Sequence, residues 1–245
     1  MRTLKLTLAY DGTAYAGWQR QINAVAIQQV VEEAFAHLTG GVAPTISGAG
    51  RTDSGVHAVG QVASVNVDFE HSALSVQRAL NMRLPADIRV IGAVDVPTGF
   101  HARFHAMGKS YRYRMVTTPV LSPFDRHVAW HVPWPLDVAA MEQAAAMLAG
   151  THDFASFQAS GTTITGTTRT LERLTLTDMG GELRIEADGD GFLRHMVRII
   201  AGTLMEVGAG HRAPDSMPSV IRARSRDAAG KTAPPQGLTL ISVRY

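Results

Sequence analysis

The chain has 245 residues, 45% hydrophobic and 18% charged, with a formal net charge of +2 and no cysteine. That length supports one large core or two compact ones. The lack of cysteine excludes disulfides, iron–sulfur clusters and cysteine zinc sites, and it fits a reducing cytoplasm. With so small a net charge, the charge of the whole molecule does not announce a polyanion partner. Of the 23 basic residues, however, 20 are arginine, which suits phosphate forks and base stacking, although a GC-rich genome would produce the same excess. No apolar run approaches the length of a membrane span, and the opening MRTLKLTLAYDG reads as a strand and not as a signal peptide.

Residues 3–10 (TLKLTLAY) alternate as a strand does, and residues 26–39 place Ile27, Val30, Val31, Ala34, Phe35 and Leu38 at helical spacing. A short strand at 44–47 leads into a glycine-rich turn. A strand at 60–68, a helix at 72–82 and a strand at 87–95 follow. The order β-α-β-β-α-β is the ferredoxin-like split unit. The second half repeats it. A strand is expected at 109–117, a helix at 136–149, a hairpin of strands at 170–178 and 182–187, a helix at 191–207 and a last strand at 238–244. The expected fold class is α+β: two ferredoxin-like subdomains, 1–105 and 106–245, with abutting antiparallel sheets, helices on one side and a cleft between them. The irregular stretch 208–237, with a short helix near 217–224, is too long for an idle connector.

Chemistry concentrates in three places. Residues 48–58 read Gly-Ala-Gly-Arg-Thr-Asp-Ser-Gly-Val-His-Ala. In an extended segment Arg51 and Asp53 share one side. An opposite charge at contact distance keeps a carboxylate ionised. The turn therefore offers a charged oxygen nucleophile or base; a surface ion pair is the plainer alternative. On the strand 109–114, Lys109, Tyr111 and Tyr113 share one face and Ser110, Arg112 and Arg114 the other. Aromatics on a sheet face with cations nearby stack unpaired bases, and tyrosine is also an ordinary strand former. At the start of the expected helix 191–207, glycines would expose backbone N–H groups to an anion, with Arg194 and Arg198 one turn apart and His195 beside them.

Other patterns carry less. Asp188 and Asp190 resemble the start of a calcium loop, but Phe192 occupies the next ligand position. The pairs His101/His105 and His127/His131 lack a third zinc ligand nearby, so no metal site is expected. Asp53-Ser-Gly looks like half of an aspartic-protease dyad, and the chain has no second copy. A non-catalytic RNA-binding protein and an acid hydrolase are the rival classes.

Together the motifs closely resemble the tRNA pseudouridine synthase A (TruA) family. They are Tyr10-Asp-Gly-Thr-x-Tyr-x-Gly-Trp-Gln19, the 48–58 run, Phe100-His-Ala-Arg-Phe104 and Lys109-Ser-Tyr-Arg-Tyr113. Thr151-His-Asp-Phe-Ala-Ser-Phe157, Gly191-Phe-Leu-Arg-His-Met-Val-Arg198 and the tail Gly237-Leu-Thr-Leu-Ile continue the match. One departure is Arg194, where a less basic residue is expected. The resemblance implies isomerisation of uridine to pseudouridine at tRNA positions 38, 39 and 40, in the anticodon stem-loop, after the base is flipped into the cleft. It implies Asp53 as the catalytic carboxylate, Tyr111 stacked on the uracil, Arg198 paired with Asp53 and Leu238 closing the base pocket. Arg51 would fill the space left by the flipped nucleotide or hold a phosphate. It further implies a cytoplasmic homodimer with tRNA as partner and with neither metal nor organic cofactor.

Overall fold

The structure, a computed structural model, describes residues 1–161 and 166–245. It is mixed α and β, with mostly antiparallel strand pairing and five α-helices among the described residues. The chain divides into two compact units: 1–107 together with 240–245, and 108–239. The end of the last strand thus belongs with the first unit.

The first unit contains β1 (Arg2–Tyr10), α1 (Ile27–Ala36), β2 (Ile46–Gly48), β3 (His57–Val67), α2 (Ala73–Arg83) and β4 (Ile88–Val96). The alternation in β1 puts Leu4, Leu6 and Leu8 fully inside. β1 lies between β4 and β3, antiparallel to both, and β2 pairs with β3. In α1 the apolar stripe Ile27, Val31, Ala34 and Phe35 is buried as the periodicity requires. Ser72 caps α2 by accepting the Ser75 N–H. A small cluster of Ala49, Val62 and Ala102 is closed by Phe100, Val243 and Tyr245.

The second unit contains β5 (Gly108–Val116), β6 (Trp130–His131), α3 (Val138–Leu148), β7 (Gly150–Asp153), β8 (Thr168–Asp178), β9 (Glu182–Gly189), α4 (Met196–Gly208) and α5 (Met217–Ala223). β10 (Leu238–Arg244) begins in it. The order β5-β9-β8-β7 is antiparallel, and β6 lies parallel on β5. α4 is buried along almost its whole length, and Ile199, Ile200 and Leu204 are fully inside. Asp137 caps α3 by accepting the Ala140 N–H at 2.9 Å.

The expected helix at 191–207 starts later, at Met196. Asp190 is the reason. Its carboxylate accepts the Thr170 N–H at 3.0 Å and its own N–H donates to the Thr170 carbonyl at 3.2 Å, so the segment after β9 stays tied to β8. His195, at φ 62, then turns the chain into α4. Arg194 therefore lies before the helix, exposed, and not one turn from Arg198 on a shared helical face.

The register of β5 on β9 sets Tyr111 against Ala187, Tyr113 against Ile185 and Met115 against Leu183, all inside. The other face pairs charges across strands. Arg112 meets Glu186 at 2.7 Å, and Arg114 meets Glu182 at 2.7 Å and Asp125 at 3.0 Å. The hydrogen bond from Arg114 holds the Glu182 carboxyl down at about 2, against an ordinary 4.5, with Arg184 assisting and partial burial opposing. A carboxyl lowered on folding stabilises the fold fully above its unfolded value and loses that contribution as pH falls towards the folded value. Glu182→Gln should therefore lower Tm by a constant amount above about pH 5, and the gap should close as the pH approaches about 2. Thermal scans of both proteins across that range check this; a gap undiminished at low pH contradicts it.

Candidate functional site

The carboxylate of Asp53 sits in the turn between β2 and β3, and that turn is held from behind by residues 10–18. Trp18 N–H donates to the Thr52 carbonyl at 3.1 Å. The Tyr15 carbonyl accepts from Ser54 Oγ at 3.1 Å and from Gly55 N–H at 3.3 Å. Gly12 N–H donates to His57 Nδ1 at 3.1 Å. Gln61 reaches back to the Gly50 carbonyl at 3.0 Å, and Ala49 N–H bonds the Val62 carbonyl at 2.7 Å. The peptides on both sides of Asp53 are thus pinned, while Asp53 itself stays half-buried.

Glycine makes this contact possible. A Cβ on Gly12 would collide with the Val56 carbonyl oxygen. At Gly17 it would strike the Thr52 carbonyl oxygen and come within 3.0 Å of the Asp53 carbonyl carbon, and Gly17 also has φ +90. Beneath the turn, Tyr10 and Thr52 share a buried hydrogen bond of 2.8 Å between hydroxyls. Burial pushes the Tyr10 hydroxyl up to about 12 against the bonds with Thr52 and Gln61, so it stays protonated near neutral pH. Arg51 lies on the exposed side, and its Nε–H donates to Gln19 Oε1 at 3.3 Å.

The second unit positions Tyr111, Arg198 and Leu238. Tyr111 is 9% exposed on β5, and its ring meets Phe192 edge-on at 5.1 Å. Its neighbour on the same face, Tyr113, is fully buried and donates to the Pro234 carbonyl at 2.8 Å; burial raises its hydroxyl far above the ordinary range. The two tyrosines that alternation groups together therefore differ. Tyr113 is a packing residue, and Arg112 and Arg114 are engaged in ion pairs. Leu238, 6% exposed, opens β10 directly after Gly237, which packs under the Tyr113 ring.

Arg198 is set by a strap that sequence patterning does not reveal. Residues 230–234 run along α4. Gly230 N–H donates to Thr203 Oγ1 at 2.9 Å, and Lys231 N–H donates to Glu206 at 2.9 Å. Ala233 N–H donates to the Arg198 carbonyl at 3.1 Å, and Arg198 Nε–H returns a bond to the Ala233 carbonyl at 2.8 Å. A Cβ on Gly202 would collide with the Lys231 carbonyl oxygen, so that glycine was the available signal for the strap. The strap, held along two turns of α4, thereby fixes the Arg198 side chain at its Nε, within the second unit.

Among the described residues, no group of three or more His, Asp or Glu side chains is close enough to hold a metal ion. No helix among them is long and apolar enough to cross a membrane.

A family profile described as tRNA pseudouridine synthase matches residues 7–105 and 144–245. The chain is 45% identical over 238 residues to the tRNA pseudouridine synthase A of Halalkalibacterium halodurans, covering 97% of this chain and 90% of that one. It is 44% identical to the proteins of the same name from Syntrophotalea carbinolica and Acetivibrio thermocellus. Those matches take in 100% of this chain and 97% and 100% of theirs.

The glycine contacts give a direct test. In Gly17→Ala and Gly202→Ala the new Cβ strikes backbone that cannot retreat, at a cost of several kcal/mol, so Tm should fall by roughly 6–12 °C. At Gly92 a Cβ would sit 3.7 Å from Thr7, an ordinary contact, and Gly92→Ala should leave Tm nearly unchanged. Equal Tm values for all three variants would contradict the account.

Proposed function

The chain belongs to the tRNA pseudouridine synthase family and isomerises uridine in tRNA, and on that premise we propose that Asp53 is the catalytic carboxylate acting on uridines 38, 39 and 40 of the anticodon stem-loop. The observation that carries the assignment is the clamp around residues 49–57. The molecule fixes the backbone on both sides of one half-buried carboxylate and leaves the arginine two residues before it exposed.

In the reaction the N1–C1′ bond breaks, the uracil turns, and a C5–C1′ bond replaces it. The proton leaving C5 is matched by one gained at N1. Atoms and electrons balance without a redox partner, so the chemistry itself calls for no cofactor. Asp53 attacks uracil C6, attacks C1′ or removes the 2′ proton; each route requires a carboxylate held at a set position. The uridine must leave its stack, at a cost of a few kcal/mol. Tyr111 returns roughly 1–3 kcal/mol by stacking on it. Support for that role is a ring steadied edge-on by Phe192. Arg198, already fixed at Nε by the strap, pairs with Asp53 and orients it. Leu238 closes the apolar side of the base pocket, and Arg51 faces the RNA.

With this reading go a ferredoxin-like subdomain in the first unit and a homodimer working in the cytoplasm. The element order β-α-β-β-α-β in residues 2–96 and the strand order β4-β1-β3 with β2 on β3 support the first of these.

Nucleotide-resolution mapping of a tRNA with uridine at 38, 39 and 40 should find pseudouridine there and nowhere else; modification confined to another region would refute the substrate assignment. Tyr111→Phe should keep most activity, because stacking needs the ring, whereas Tyr111→Ala should lose the stacking contribution, about 5- to 150-fold in kcat/KM. A collapse in Tyr111→Phe would mark the hydroxyl as a proton carrier. tRNA affinity should fall steeply with salt as counterions are released, and a flat series would contradict phosphate-dominated binding.

A further inference from the structure

Arg51 is the outer end of a hydrogen-bond chain that runs into the core of the first unit. Its Nε–H donates to Gln19 Oε1 at 3.3 Å, and Gln19 Nε2 donates to Gln28 Oε1 at 2.7 Å. Gln28 Nε2 donates to Glu32 Oε1 at 3.0 Å and to the Ile46 carbonyl at 2.9 Å. Glu32 also accepts the Ile46 N–H at 3.1 Å and Arg20 Nη1 at 2.9 Å. Gln28 and Glu32 are 7% and 4% exposed, on the face of α1 that otherwise carries Val31 and Phe35. A carboxylate buried among apolar side chains is costly unless every oxygen is bonded, and apolar residues would fill the same stripe more cheaply.

The chain has a fixed direction. Gln28 Oε1 accepts a second bond, from the Arg20 N–H at 3.0 Å, while its Nε2 faces two acceptors. Flipping that amide would set donor against donor and acceptor against acceptor. With Gln28 locked, Gln19 must turn Nε2 towards it and Oε1 towards Arg51. Every step donates inward, towards the Glu32 anion, and each bond polarises the next.

We propose that Glu32, Gln28 and Gln19 form a positioning relay for Arg51, holding its guanidinium at Nε so that the two terminal nitrogens meet an RNA phosphate as a fork. The proposal rests on the reading of Arg51 as an RNA-facing residue. Gln28 and Glu32 also anchor α1 to β2 through Ile46, so their removal would confound positioning with folding. Gln19 is exposed and has no such duty, which makes it the informative position.

The test is a double-mutant cycle on the full-length protein, read by steady-state kinetics with tRNA. Gln19→Ala and Arg51→Ala should each raise KM about 3- to 10-fold with kcat changed less than about 2-fold, and Gln19→Ala should add nothing in the Arg51→Ala background. Both should also lower the slope of log affinity against log salt by the same amount. Additive effects, an effect of Gln19→Ala that persists without Arg51, or an unchanged KM in Arg51→Ala would each overturn the relay. Asp53→Asn assayed alongside keeps the two ideas separable: its activity reports on the catalytic assignment, while the cycle reports on Arg51.

Discussion

The backbone of residues 12–18 lies directly on the backbone of residues 50–56, and the presentation of Asp53 depends on that contact. Two chain segments approach this closely only where side chains are absent, hence Gly12 and Gly17. The contact removes the freedom that a glycine-rich turn would otherwise keep. Gly48, Gly50 and Gly55 loosen residues 48–58 in isolation. The carbonyls of Thr52 and Tyr15, and the imidazole of His57, tighten them again in the folded unit. A carboxylate that acts from one set position needs that restriction, because misplacement by even 1 Å is expensive in rate.

The second unit reaches a comparable result by different means. Its anchor is a buried helix, α4, whose residues at 198, 202, 203 and 206 all meet the 230–234 strap. Arg198 is restrained by two bonds to one residue, Ala233, so its backbone and side chain are both committed. Tyr113 bonds the next carbonyl along, at Pro234, and thereby links the strap to the strand that carries Tyr111. The end of the stretch 208–237, residues 230–234, is consequently a structural part that sets an arginine.

Local periodicity made most of the elements legible. The leucines of β1, the stripe of α1, the α5 helix and the hairpin of β8 and β9 all lie where spacing and turn residues put them. What spacing cannot report is depth and partnership. Alternation assigns Tyr111 and Tyr113 to one face but does not say that Tyr113 is fully buried while Tyr111 keeps a small exposed part. Helical periodicity continues smoothly through residues 191–195, yet Asp190 bonds Thr170, a residue twenty positions earlier, and delays the helix. Gln28 and Glu32 break the apolar stripe of α1, and their reason lies at Ile46, Gln19 and Arg20. Arg51 and Asp53 read as neighbours in an extended segment, whereas the structure bonds Arg51 to Gln19. The motifs around Asp53, Tyr111 and Arg198 were visible because they are local in sequence; the clamp, the strap and the relay were not, because each joins distant segments.

The central claim is that one carboxylate, Asp53, performs the isomerisation and contributes little to holding the RNA. It is tested most directly by tritium release from tRNA carrying 5-labelled uridine, comparing wild type with Asp53→Asn at concentrations where filter binding shows equal occupancy. The account predicts tRNA affinity within a few-fold of wild type and no tritium release above background. Release at a rate near that of the wild type, with the tRNA bound, would contradict it.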